Sequence, residues 1–96
     1  MSVPNQPTYQ TGNSLLAKCE NENWGLCLGY LQAVSDAYRT AAAWYKFEPD
    51  LCVPVGVLSG QLQKVWIKYA NEHPEDLHLT ASSLVMKAYM EAFPCD

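Results

Sequence analysis

The sequence predicts an all-α fold: a small disulfide-stapled helical bundle that ends in a helical hairpin. Three observations carry that prediction. Apolar residues recur at spacings of three and four over three separate stretches, which places them on one face of a helix in each. The one extended-looking stretch, "LCVPVGV" (51–57), has Pro54 and Gly56 inside it and no partner stretch to pair with. The chain has 96 residues and four cysteines, an even number in a small domain. A domain of this size buries only about 60–65% of its unfolded surface, so staples add stability that the core lacks.

The elements follow in order. Residues 1–12, "MSVPNQPTYQTG", hold two prolines and mostly polar side chains, and read as a flexible leader. A single helical domain then spans 13–96. "SLLAKC" (14–19) is a short helix, interrupted by the polar "ENEN" (20–23). Asn23 is placed to cap the next helix through its side-chain oxygen. From Trp24 to about Lys46 the stripe is Cys27, Leu31, Val34, Tyr38, Ala41 and Tyr45, widened by Tyr30, Ala37 and Trp44. Pro49 ends it, because a residue before proline avoids helical backbone. Residues 51–57 form an extended connector. Ser59 is positioned to cap a helix over 60–72, whose stripe is Leu62, Val65, Trp66, Tyr69 and Ala70. Pro74 stops that helix, and "HPEDLHLT" is a tight polar link. The last helix runs from about Thr80 to Phe93, with Ala81, Leu84, Val85, Ala88, Tyr89, Ala92 and Phe93 on one face.

Four cysteines allow three pairings. A short link makes the last two helices antiparallel, so the start of one lies beside the end of the other. Cys52 precedes the first and Cys95 follows the second, which makes them neighbours in space. Closing that loop stabilises by about 4 kcal/mol in the chain-entropy view. Cys19 and Cys27 remain. On one continuous helix they would stand about 12 Å apart, too far to bridge, so this pair requires a turn at "ENEN". Its shorter loop is worth about 2.5 kcal/mol. Two disulfides imply an oxidising compartment. No CxxC pair points to a zinc knuckle or a redox motif.

The composition also bounds partners. A formal net charge of −4 argues against nucleic acid and anionic membrane. No run of 18 apolar residues is long enough to span a bilayer. The N-terminus has no signal-peptide pattern, so an exported protein would carry this chain as its mature form.

Little in the sequence supports catalysis. Paired cysteines offer no thiolate, and no serine lies in a Gly-x-Ser-x-Gly context. His73 and His78 are five apart with Pro74 between them, unlike two metal-binding histidines one helical turn apart. "VGVLSGQ" lacks the ending of a phosphate-binding loop. The expectation is therefore no enzyme, no metal and no cofactor. Aromatic residues are abundant for so small a bundle, and those beyond the needs of one core point to an interface, with a homodimer as one outcome. On the residues alone, the protein reads as an exported helical binding module.

A resemblance sharpens this. Cys52 with Pro54 and Gly56, Gly60-Gln61-Leu62, Lys68-Tyr69, His73-Pro74-Glu75, Leu77-His78, Leu84-Val85 and Ala92-Phe93-Pro94-Cys95 keep their order and spacing together. Over 52–95, and more thinly through Cys19, Cys27 and Gly29-Tyr30, the chain resembles the Tai family of immunity proteins. Leu58 departs from the pattern, since a hydroxyl residue would cap the helix there. The resemblance implies a periplasmic homodimer that binds a type VI secretion amidase, an enzyme that cuts peptidoglycan stem peptides, and blocks its active-site cleft. The shared residues read as structural, so partner contacts are expected on exposed turns and faces. The candidates are Glu72, His73, Glu75, Asp76 and His78 on the acidic turn, with Gln63 and Ile67 on the preceding helix. A small periplasmic helical chaperone is the alternative; protection of a client protein at low pH would mark it.

Overall fold

The computed structural model describes residues 9–95. It contains four α-helices: α1 (Gly12–Ala17), α2 (Trp24–Tyr45), α3 (Ser59–Glu72) and α4 (Ala81–Ala92). A π-helical segment, Lys18–Glu22, continues α1, and a short 3₁₀ turn, Pro74–Asp76, separates α3 from α4. Among the described residues there is no strand, only isolated bridges between Thr11 and Thr80 and between Leu51 and Pro94.

Each helix forms where sequence and packing agree. Thr11 caps α1 reciprocally with Ser14: the Thr11 hydroxyl accepts from the Ser14 amide, and the Ser14 hydroxyl from the Thr11 amide. That start lies inside the stretch read as leader. Residues 10–12 are docked: the Ala81 amide donates to the Gln10 carbonyl, and the Gly12 amide to the Leu79 carbonyl. The rest of the predicted leader, through residue 8, lies outside the described residues. The break expected at "ENEN" is displaced to its last residue. The helix continues through Glu22 with wider turns, and the chain turns at Asn23, whose backbone is non-helical (φ −152°, ψ 88°). The Asn23 side chain accepts from the Leu26 amide, as a cap should.

At the start of α3 the cap differs from expectation. Leu58 occupies the cap position with extended backbone and no side-chain bond, while Ser59 is already helical. The Ser59 hydroxyl instead accepts from the Gln32 amide group on α2, at 3.3 Å.

The core is one cluster drawn from all four helices. Leu15, Leu31, Trp66, Leu84, Val85 and Tyr89 are fully buried in it. The apolar stripe predicted for α2 holds for Cys27, Leu31, Val34 and Tyr38 and then outruns its support. With 22 residues α2 is about 33 Å long, against about 21 Å for the 14 residues of α3 and about 18 Å for the 12 of α4. Tyr45 continues the stripe but is 76% exposed; Trp44 is 75% exposed, and Ala37 lies at the surface. The C-terminal end of α2 therefore overhangs the bundle. Lys46 closes it in left-handed backbone (φ 56°), with the amide of Phe47 folding back onto the Ala42 carbonyl.

Both disulfides pair as expected. Cys19–Cys27 joins the π-helical segment to α2 with Cα atoms 4.9 Å apart, and both cysteines are buried. Cys52–Cys95 joins the connector to the chain after α4, with Cα atoms 5.1 Å apart. Beside it the Cys52 amide donates to the Phe93 carbonyl at 2.9 Å. The connector is also pinned further back, where the Asp50 amide donates to the Tyr38 hydroxyl at 2.8 Å.

Candidate partner-binding surface

The acidic turn between α3 and α4 is held firmly from beneath. Leu77 is buried and anchors it to the core. The N-terminus of α1 clamps it: the Asn13 amide donates to the Leu77 carbonyl at 2.8 Å, one residue from the Gly12–Leu79 bond. Gly12 permits this approach, since a Cβ there would stand 2.6 Å from a Leu84 methyl and 3.0 Å from the Leu77 Cα. Glu72, Glu75 and His78 are exposed on the outer side of the turn, and Asp76 is half-buried.

His73 is half-buried and stacks on Tyr69, with ring centroids 4.0 Å apart and planes inclined by 21°. Its Nδ1 lies 2.8 Å from the Tyr69 carbonyl oxygen. A carbonyl only accepts, so Nδ1 carries the proton of this bond and Nε2 is left to other partners. Trp66 stacks on Tyr69 along the same helix, centroids 6.4 Å apart. The three rings fix the direction of the Tyr69 side chain.

The two candidates on α3 sit differently. Gln63 is buried at 7% exposure, and its amide donates to the Cys19 carbonyl at 2.9 Å. Its side chain is thus withdrawn from any partner, because α3 crosses the π-helical segment with Gln63, Trp66 and Ala70 turned inward. Ile67 is half-buried and packs on the core's edge.

A groove of about 250 Å³ runs between α3 and α4 beside this turn, lined by Val65, Lys68, Tyr69, Glu72, Ala88, Glu91 and Ala92. Burial raises the Tyr69 hydroxyl above the ordinary tyrosine pKa, and the carboxylates of Glu91, Asp76 and Glu75 raise it further. The acidic turn and the groove are therefore one electronegative region. Tyr69 reads as core in the sequence, and Glu91 stands out in no pattern. Only the antiparallel packing of α3 on α4 brings them together.

A second exposed feature is the overhanging end of α2. Trp44 and Tyr45 flank it, and Phe47 packs edge-on against Tyr38, centroids 5.6 Å apart. A shallow depression lies there, lined in part by Arg39, Ala42, Phe47 and Pro49. Among the described residues, no group of three or more histidine, cysteine or acidic side chains is placed to hold a metal. No described helix is long and apolar enough to cross a membrane.

The fold is a stapled helical module whose acidic turn is clamped by α1 and by Leu77. The family comparison makes the class definite: residues 11–95 match the Rap1a immunity proteins. The chain belongs to that family, a type VI secretion immunity family, whose role is to bind a cognate effector. This supports the immunity class that the resemblance to the Tai family implied. No curated protein and no solved structure matches the chain. Two disulfides in an immunity protein of this size place it outside the cytoplasm.

Proposed function

We propose that the protein is a periplasmic immunity protein that binds a type VI secretion peptidoglycan amidase and blocks its active-site cleft, acting by occlusion and not by chemistry. Family membership over residues 11–95 carries this reading. The acidic turn supports it: a turn clamped by α1 and by Leu77 loses little conformational entropy when it enters a cleft. Glu72, Glu75 and Asp76 supply acceptors for charge-assisted hydrogen bonds to amides or basic side chains there, and His73 and His78 add ring nitrogens. Ile67 borders the same region, while Gln63 serves the fold.

The overhanging end of α2 is the second contact surface of this proposal. Trp44, Tyr45 and Phe47 are exposed aromatics of the type enriched in interface hot spots. They are the natural face for a homodimer. Co-purification with a candidate amidase, together with loss of that enzyme's activity on peptidoglycan at equimolar ratio, is the direct test. No complex at micromolar concentrations, or a complex with undiminished activity, would sink the proposal.

A further inference from the structure

We infer that the groove between α3 and α4 receives a basic side chain, an arginine or lysine presented by the effector. The inference rests on the effector-binding reading above and names what this part of the surface recognises. The groove holds about 250 Å³. That lies below the roughly 300–1,000 Å³ of small-molecule pockets and suits one long side chain. Val65 and Ala88 give it apolar walls for an aliphatic stem.

Its polar groups match a cation. Tyr69 is only 7% exposed, yet it lines the groove, and its hydroxyl makes no hydrogen bond among the described residues. A hydroxyl in that position offers lone pairs to a donor that none of the described residues supplies. Stacking on His73 and Trp66 restricts the rotation of its ring. Glu91 on α4 and Glu72 on α3 line the opening from opposite sides, both exposed and neither in an ion pair among the described residues. Glu75 and Asp76 act on the same hydroxyl from the turn. Lys68 is the one basic lining residue, and its long exposed stem lets the ammonium swing aside. Four carboxylates against one ammonium leave the site short of positive charge. An incoming guanidinium or ammonium ion would meet both the acceptor and the field it needs.

The test measures binding of the purified effector to wild type, Glu91→Gln and Tyr69→Phe at low and moderate salt. Asp36→Asn, on the exposed face of α2, controls for the change in net charge. Glu91→Gln should weaken binding about tenfold and flatten its salt dependence, as loss of one partner in a charge-assisted contact does. Tyr69→Phe should weaken it by a smaller factor, and Asp36→Asn by less than about twofold. Glu91 is exposed, so its variant folds; melting curves check Tyr69→Phe. If both groove variants bind like wild type, the inference is overturned while the immunity reading stands. If wild type binds no effector, the immunity reading falls and the groove is judged alone. For that, amide shifts of Lys68, Tyr69 and Ala92 are followed by NMR during titration with N-acetylarginine methylamide and with its neutral citrulline analogue. Saturable shifts with the arginine compound only support the groove; equal shifts, or none, refute it.

Discussion

Gly12 has no room for a side chain. A Cβ there meets both a Leu84 methyl and the backbone of Leu77, so α1 or the acidic turn must move to admit it. Gly12→Ala is expected to destabilise by about 1–3 kcal/mol, as overpacking does, and to lower the melting temperature by several degrees. An unchanged melting temperature would show that the clamp yields. A second prediction concerns tyrosines. Burial raises the pKa of Tyr30, Tyr69 and Tyr89, and Tyr89 most of all, whose hydroxyl donates to the Leu62 carbonyl at 3.4 Å. The unfolded chain loses these protons near pH 10, whereas the folded chain holds them to higher pH. Above about pH 10 the unfolded state thus binds fewer protons, and stability falls as pH rises; below that it is level with respect to these groups. Urea midpoints from pH 7 to 11 should show the drop, and Tyr89→Phe should reduce its slope. A midpoint that stays flat through pH 11 in wild type contradicts this. At this scale the sequence is readable only where type and place agree. Gln63 is polar, so it reads as surface, although its spacing of three to Trp66 and seven to Ala70 puts it on the buried stripe. Its reason for being inside is the Cys19 carbonyl, which no local pattern discloses.

Helices are readable because periodicity is local. The stripes of α3 and α4 and the cap at Asn23 all follow from neighbours within one or two turns. What is not local is how far a partner extends. The α2 stripe runs unbroken to Tyr45, but it is covered only as far as α3, α4 and the connector reach, so Trp44 and Tyr45 emerge into solvent. The start of α3 offers an element-scale test. Leu58 is 72% exposed, sits in the cap position with extended backbone, and caps nothing. Leu58→Asp should satisfy a free amide of the first turn and favour the helix dipole, adding about 1 kcal/mol of stability. A rise of several degrees in melting temperature is the expected readout. No rise would mean that the local backbone cannot present the carboxylate to those amides.

For the molecule as a whole, the antiparallel order of the last two helices is what made Cys52 and Cys95 neighbours on paper, and the disulfide is found there. The electronegative groove was not foreseeable in the same way. It needs Glu91 from one helix and Tyr69 from another, 22 positions away, and their meeting depends on the register of packing. Replacing Cys52 and Cys95 by alanine should remove about 3–4 kcal/mol, a large share of the 5–15 kcal/mol typical of such domains. Chemical denaturation of the oxidised double variant measures it. A loss below about 1 kcal/mol would show that the Leu51–Pro94 bridge and the Phe93 bond suffice.

The same disulfide alters how the molecule answers to force. Tension applied behind Cys95 passes straight across the bond to Cys52, skipping residues 53–94, the stretch that contains α3 and α4. Those two helices then carry none of the load, and it falls on the contacts between the connector and α2. A machine that threads proteins from their carboxyl end would meet a closed ring where it needs a single strand. The acidic turn and its groove lie within that ring, sheltered from unravelling at that end for as long as the bond is oxidised.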